Sequence, residues 1–248
     1  MGQVGLHALT GLVVGDRLSA HVQSRVGRRA LMFGFLLGNI LPDLDFLAVV
    51  GLYPVNRGLA LNLHRSFTHS LLAAVALGLG CYVAGLLMRD NYVRYLGYGL
   101  ALGTVAHFVE DIFLWFTPVD IFWPASVYGL IPPVDIWGWF HTPILVGRLL
   151  GAGELAAFAL YYGHLARLAL AYETDAEAVP LVRRMAAVCW VAWALLTALC
   201  FDLAGTRFDL YFYVPMGLVF MPACLYLTWR MQSTIEFIGV FGQPHQNK

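Results

Sequence analysis

Four short groups of polar residues interrupt an otherwise apolar sequence, and their side chains are of the types that bind metal ions. Imidazole nitrogens and carboxylate oxygens together are ligands of zinc, manganese or iron. A zinc ion takes about four such ligands, or three and a water when it is catalytic. The groups hold enough ligands for one ion or for two, and a two-ion site suits in-line attack on a phosphoester. The candidate ligands are His7, Asp43, Asp45, His64, His69, His107 and Asp111.

The acidic pair of this set lies in "GNILPDLD", at the end of an apolar run. Pro42 is expected to end the helix there, and residues two apart in the extended or turn-like segment that follows point to one side. Asp43 and Asp45 would then face the same ion. Each aspartate at full membrane depth costs about 2.5–3.5 kcal/mol without a partner. The alternative is that the pair only caps a helix at the membrane surface.

The two histidine groups have different spacings. His107 and Asp111 are separated by four residues, so they share one face of a helix. His64 and His69 are five apart and converge only if His64 precedes a helix that begins near Ser66. An isolated HxxxD pattern also occurs by chance. The prediction of a metal site therefore rests on the four polar groups taken together.

Three further residues are assigned catalytic roles. Arg65 can bind a phosphate or carboxylate of the substrate through two parallel hydrogen bonds. Glu110 and Asp120 are candidates for carboxylates that bind no metal and transfer protons. The alternatives are that Arg65 lies at the lipid headgroups, that Asp120 is a solvated loop residue, and that His7 only packs between helices.

The composition is that of an integral membrane protein. Of 248 residues, 60% are hydrophobic and 12% charged, and the mean hydropathy is +0.70, whereas soluble domains have about 25% charged residues. The formal net charge is zero, so no basic field recruits nucleic acid, and no nucleic-acid partner is expected. The four cysteines lie in apolar runs without a CxxC pair and are expected to be core residues.

Apolar stretches predict an all-α, polytopic helical bundle of about six or seven helices in a single membrane domain, residues 1–248. Residues 1–125 would form the core that carries the metal site, and 126–248 an outer loop with additional transmembrane helices. The loop, 117–143, is rich in prolines and aromatic residues and is expected to lie at the interface. The predicted helices are 2–16, 30–50, 70–88, 94–116, 150–171, 185–205 and 209–230.

The positions of the basic residues predict the orientation, because cytoplasmic loops carry an excess of Lys and Arg. One side receives most of the fifteen basic residues, which makes that side and the C-terminus cytoplasmic and turns the metal-ligand groups outward. On that side lie Arg17, Arg25, Arg28, Arg29, Arg89, Arg94, Arg167, Arg183, Arg184, Arg230 and Lys248. On the other lie Arg57, Arg65, Arg148 and Arg207.

The motifs together resemble a known family. An early histidine followed by "GNILPDLD", "HRSFTHS" and "GTVAHFVED" is similar to the YdjM-like family of membrane-bound metal-dependent hydrolases. The resemblance covers roughly residues 5–125 and includes "DIFWP" at 120–124, whereas residues from about 145 onward match no family that the motifs indicate. That family is distantly similar to zinc-dependent phospholipase C and the P1-type nucleases, whose helical core the N-terminal half would share.

The resemblance implies that the seven candidate ligands hold a divalent metal, with zinc favoured over manganese or iron, as one or two ions. It also implies hydrolysis by a metal-bound hydroxide. Together with the membrane setting, the hypothesis is a phosphoesterase of the prokaryotic plasma membrane that acts on a lipid or lipid-linked substrate at the outer interface. Two alternatives remain: a divalent-metal binding or transport protein without hydrolase activity, and a scaffold with a structural metal.

Overall fold

The computed structural model describes residues 4–52, 55–56, 66–114, 118–139, 143–201 and 206–242. These residues form eight helical units and no β-strand. Two of the units combine different helix types without a break. In the first, α2 (Arg25–Ile40) continues through a 3₁₀ turn into α3 (Asp45–Leu52), and in the second, α8 (Thr206–Pro215) continues through a π-helical segment into α9 (Met221–Arg230). In chain order the helices are α1 (Val4–Ser19), α2 (Arg25–Ile40), α3 (Asp45–Leu52), α4 (Leu71–Leu87), α5 (Asn91–Leu114), α6 (Ile144–Tyr172), α7 (Val179–Leu199), α8 (Thr206–Pro215), α9 (Met221–Arg230) and α10 (Gln232–Phe241).

The all-α helical bundle is confirmed, with two differences from the prediction. Gln232–Phe241 forms an additional helix that the hydropathy pattern did not indicate. Helix α2 ends at Ile40, beside Pro42 as expected, but the chain continues through the 3₁₀ turn Leu41–Leu44 directly into α3 and does not become extended. Pro42 lies in the first turn of that segment, where the N–H that proline lacks has no partner to lose.

Within the described part of the chain, four helices are long and apolar enough to cross a membrane: Arg25–Ala48, Ile144–Tyr172, Val179–Leu199 and Tyr211–Arg230. Leu71–Leu87 is a shorter apolar helix. Spans of this kind require about 20 predominantly apolar residues.

Helices α2 and α5 pack backbone against backbone through the segments "GFLLG" and "GLALG". A Cβ atom on Gly38 would lie 2.2 Å from the carbonyl oxygen of Leu100, and one on Gly103 would lie 2.1 Å from that of Phe35. Small residues four apart permit such close approach in membrane helices. Because successive contacts advance along both helices in the same direction, α2 and α5 run parallel and their C-terminal ends meet.

The direction of α1 completes this arrangement. Gly11 of α1 contacts Leu36 and Gly15 contacts Met32, so α1 runs antiparallel to α2. The start of α1 therefore meets the ends of α2 and α5, and we call this the histidine end of the bundle. The opposite end, here the arginine end, carries Arg17, Arg25, Arg28, Arg29 and Arg94.

The loop between α5 and α6 covers the start of α4. Two segments of this loop have similar sequences, VDIFWP at 119–124 and VDIWGW at 134–139. They meet at their first residues, because Val119 and Val134 exchange both backbone hydrogen bonds, 3.0 and 2.9 Å long. The Leu71 amide donates to the carbonyl of Ile121, 2.9 Å away. No helix occurs in residues 118–139, which agrees with the predicted interfacial loop.

Candidate metal centre

Four buried side chains converge at the histidine end, each from a different position in the fold. Asp43 lies in the 3₁₀ turn after α2, His69 immediately precedes the cap of α4, and His107 and Asp111 lie on one face of α5. Ser70 is the N-cap of α4, because its side-chain oxygen accepts a hydrogen bond from the Ala73 amide. The cap fixes where α4 begins and therefore the position of His69, the residue before it. All four ligand side chains have zero exposure.

Their ligand atoms have the separations of a metal-binding shell. The Nε2 atoms of His69 and His107 lie 3.0 Å apart. His69 Nε2 lies 3.4 Å from Asp43 Oδ1 and 3.4 Å from Asp111 Oδ2, and His107 Nε2 lies 3.7 and 3.8 Å from the same two oxygens. Ligands 2.0–2.1 Å from a tetrahedral zinc are about 3.3 Å from one another. These four side chains therefore fit a divalent ion.

The hydrogen bonds of His107 place its lone pair toward this centre. His107 Nδ1 lies 2.8 Å from the carbonyl oxygen of Asn39, which can only accept, so Nδ1 carries the proton. In the neutral ring Nε2 is then an acceptor, and it faces His69, Asp43 and Asp111. A histidine whose other nitrogen donates to a backbone carbonyl is the usual form of a metal ligand.

Asp45 lies on the other side of the His69 ring from Asp43. Its Oδ2 is 3.5 Å from His69 Nδ1 and accepts a 2.6 Å hydrogen bond from the Thr68 hydroxyl. The structure therefore places Asp45 where it orients His69, whereas Asp43 faces His69 Nε2. The two carboxylates do not turn to the same position, because the helical backbone around Pro42 sends neighbouring side chains in different directions.

His7 reaches the same cluster from α1. Its Nε2 lies 3.2 Å from Asp111 Oδ1, and its ring centroid lies 3.9 Å from that of His107. Its Nδ1 lies 2.7 Å from Glu110 Oε2, and both Glu110 oxygens accept from the Thr10 hydroxyl at 2.8 and 2.9 Å. Glu110 thus orients His7, and Asp111 presents one oxygen to His7 and the other to His69.

The burial of these carboxylates calls for a compensating positive charge, which a metal ion or a protonated histidine would supply. Neither oxygen of Asp43 accepts a hydrogen bond from any residue in the described part of the chain. A buried carboxylate without such bonds is costly unless it is paired or coordinates a metal. His7, His107 and Asp111 form one group whose ligand atoms all lie within 4.8 Å, and Asp43, His69 and His107 form a second.

One predicted site residue that the structure describes, Asp120, is not brought into this cluster, and two others, His64 and Arg65, lie outside the described residues. Asp120 accepts a 2.5 Å hydrogen bond from the Ser126 hydroxyl within its own loop. The loop itself reaches the site through Trp123, whose ring lies 5.1 Å from that of Phe67, two residues before His69.

Glu154 is a residue of the site region that the sequence reasoning missed. It lies in α6, is 2% exposed, and accepts hydrogen bonds from the amides of Gly5 and Leu6. These amides belong to the first turn of α1 and have no partner within the helix. The carboxylate also interacts favourably with the positive end of the helix dipole. Glu154 therefore holds the turn that carries His7, and its only signal in the sequence was a charge within an apolar helix.

Replacing Glu154 with leucine is expected to lower the free energy of unfolding by about 3 kcal/mol, because two buried amides lose their acceptor. Glu154→Gln keeps an acceptor oxygen and should have a smaller effect. The measurement is thermal unfolding in detergent. Tyr161→Phe is the matched control, since it removes one buried hydroxyl of α6 that bonds to Thr228. Equal unfolding midpoints for Glu154→Leu and Tyr161→Phe would contradict this role.

The comparison with known proteins agrees with the membrane helices and with the motifs. The family model of the YdjM inner membrane protein matches residues 1–231. The chain belongs to the YdjM inner membrane protein family. No curated protein and no solved structure matches it.

The extent of the YdjM match corrects the expectation for the second half of the chain. The sequence motifs indicated the family over roughly residues 5–125 and nothing beyond about 145, whereas the match continues to residue 231. Helices α6 to α9 therefore belong to the YdjM family architecture. A physical reason for this extent is the contact of Glu154, in the second half of the chain, with the first turn of α1. Through this contact the second half of the chain supports the turn that carries His7.

Proposed function

We propose that this YdjM-family protein is a membrane-embedded, metal-dependent hydrolase that acts on a phosphoester. The observation that supports the proposal is a buried cluster beside His7, in which the Nε2 atoms of His69 and His107 lie 3.0 Å apart and each lies 3.4–3.8 Å from one oxygen of Asp43 and one of Asp111. His69, His107, Asp43 and Asp111 would hold the first ion, with zinc favoured. When bound, such an ion supplies a Lewis acid and an activated water.

The remaining residues have roles in orientation and proton transfer. The Asn39 carbonyl orients His107, and Asp45 with Thr68 orients His69. His7 lies between two carboxylates, with Nδ1 at Glu110 and Nε2 at Asp111. His7 would help Asp111 and His107 to hold a second ion, or would pass a proton to Glu110.

The proposed substrate is a lipid or lipid-linked phosphoester on the outer face. The arginine end carries the basic residues that favour the cytoplasmic side, so the histidine end and the cluster would face outward. The loop at the histidine end exposes large apolar side chains, with Tyr128, Leu130 and Trp139 each 75% exposed. Aromatic and aliphatic side chains of this kind lie in the interfacial region of a bilayer. A lipid phosphate at that level would be close to the cluster.

A second candidate function is divalent-metal binding or transport without hydrolysis. Four protein ligands complete a tetrahedral shell, and closed shells of this kind are typical of structural zinc sites, whereas catalytic sites keep an open position. Transport sites lie between broken helices with a route to each face. Both candidate ligand groups within the described ranges lie in one cluster at one end of the bundle, which favours the enzyme over a transporter.

The test combines elemental analysis of purified protein with a screen of phospholipid and phosphodiester substrates. We expect one or two zinc ions per chain and a hydrolytic activity that a chelator abolishes and zinc restores. His21→Ala, an exposed histidine outside the cluster, is the control and should retain both. Bound metal with every phosphoester intact would favour the second candidate, and absence of metal would refute both.

A further inference from the structure

Two adjoining cavities lie at the arginine end, away from the metal cluster. The first, which we call the polar chamber, has a volume of about 270 Å³ and is lined by Arg29, Trp229, Arg230, Gln232, Ser233 and Glu236. The second, the apolar groove, has a volume of about 370 Å³, and its apolar wall consists of Val26, Phe237, Val240 and Phe241. Arg29, Ser233 and Glu236 line both cavities, so the chamber opens onto the groove.

The one carboxylate in the polar chamber is neutralised by its neighbours. Glu236 is 3% exposed, and its Oε2 accepts from Arg29 Nε at 2.7 Å and from a terminal Arg29 nitrogen at 2.5 Å. Its Oε1 accepts from the Tyr92 hydroxyl and from Gln232 Nε2, each at 2.6 Å. These four bonds satisfy the carboxylate. The Arg29 side chain remains 54% exposed, so part of its guanidinium group faces the cavity.

Arg230, which also borders a third cavity together with Asp175 and Glu177, adds a second positive charge to the polar chamber. Within the described part of the chain it forms no ion pair, and it lines the chamber beside Trp229, whose side chain is 62% exposed. Arg25 lines the groove on the other side of Arg29. A tryptophan next to arginines at the end of a membrane helix marks the interface between headgroups and hydrocarbon.

We propose that the chamber and the groove together bind an anionic phospholipid of the leaflet at the arginine end. Its phosphate lies in the polar chamber, where Arg230, the exposed part of Arg29 and the Ser233 hydroxyl donate to it. One acyl chain lies in the apolar groove against Val26 and Val240. Basic pockets between membrane helices on the cytoplasmic side are the sites that recognise anionic headgroups.

The shape of the site favours a lipid over a soluble anion. A free phosphate would use only the polar chamber, whereas a phospholipid also removes the groove's apolar wall from water, which contributes roughly 25 cal/mol per Å². The groove lies between α2 and α10. Glu236 of α10 accepts hydrogen bonds from Arg29 of α2 and from Tyr92 of α5. Lipid binding would therefore stabilise the packing of α10 on the bundle, independently of any activity at the metal cluster.

The test measures lipid binding to the full chain in nanodiscs of stated composition. Wild type should enrich phosphatidylglycerol over phosphatidylcholine in its co-purified lipid. Arg230→Gln should lower the affinity for phosphatidylglycerol about fivefold, the effect of roughly 1 kcal/mol per arginine at a membrane surface. Arg183→Gln is the matched control, because Arg183 is exposed near the same end but lines neither cavity. Equal losses for both variants would overturn the proposal.

A second variant and a competitor separate the lipid from a free anion. Val240→Trp fills the groove and should weaken phosphatidylglycerol binding while the polar chamber stays intact. Inorganic phosphate at millimolar concentration should not displace the lipid. If phosphate binds with the same dependence on Arg230 and Val240→Trp changes nothing, the site takes a soluble phosphate and the lipid proposal is wrong. Circular dichroism and the unfolding midpoint confirm that each variant folds.

Discussion

His107→Ala is expected to lower the affinity for zinc more than about 100-fold. Loss of an outer partner of a metal ligand costs roughly 10–100-fold, and loss of the ligand itself costs more. His107 is the member that both ligand groups share. Its Nε2 lies within 3.8 Å of ligand atoms of His69, Asp43 and Asp111. Removal of the imidazole would therefore leave the ion with three of its four protein ligands. Competition with a chromogenic chelator measures the affinity directly.

The control and a graded variant make this result specific. His21→Ala, on the exposed surface, should leave the affinity unchanged. Asp45→Asn should reduce it by roughly 10–100-fold, because Asp45 orients the ligand His69 through its Nδ1 atom. Wild-type affinity in His107→Ala would show that the ion, if any, is bound elsewhere, and the metal centre proposed here would be refuted.

Gly103→Ala is expected to destabilise the protein by at least about 3 kcal/mol and to weaken metal binding at the same time. Its new Cβ would lie 2.1 Å from the carbonyl oxygen of Phe35, and a backbone oxygen cannot move aside as a side chain can. Overpacking of a core typically costs 1–3 kcal/mol, and here α2 and α5 must separate. Because Asp43 follows α2 and His107 lies on α5, separation of the helices also separates the ligands.

Gly80→Ala is the matched control in a membrane helix of the same bundle. A Cβ at Gly80 meets nothing within 4 Å, and alanine is a better helix former than glycine by up to about 1 kcal/mol. We expect its unfolding midpoint in detergent to equal or exceed that of wild type. If Gly103→Ala unfolds at the wild-type midpoint, the close packing of α2 on α5 described above is wrong.

Much of the fold followed from local patterns in the sequence. Apolar stretches predicted seven of the helical segments, with ends within six residues of those observed, because the length and composition of a membrane helix are local properties. Helix α10 was not predicted, because the polar residues Gln232 and Glu236 interrupt its apolar pattern. Its position depends on hydrogen bonds from Arg29 and Tyr92, which lie in distant parts of the chain. The sequence indicated the end of α2 near Pro42 but not the helical turn that follows, because proline is tolerated in the first turn of a new helix.

The residues of the site were also visible in the sequence, but their division of roles was not. Histidines and aspartates stand out in an apolar chain, because a charged side chain in a membrane is costly without a partner. Five of them lie together in the structure: His7, Asp43, His69, His107 and Asp111. Asp45 was grouped with Asp43 by spacing alone, and the structure places it at the opposite nitrogen of His69. Glu154 lies nearly 150 positions from the amides it binds, so no local pattern could assign it.

The sequence by itself thus determined that the chain is an apolar helical membrane protein with a small set of side chains of the types that can bind a metal. It did so because hydropathy, helix length and ligand chemistry are properties of residues and short segments. Only the tertiary structure decided which ligand atoms face one another, which carboxylates orient histidines, and which end of the bundle holds the paired cavities. Those features depend on the direction and spacing of helices, and the glycine contacts between α2 and α5 set that spacing through atoms that are more than 60 residues apart in the chain.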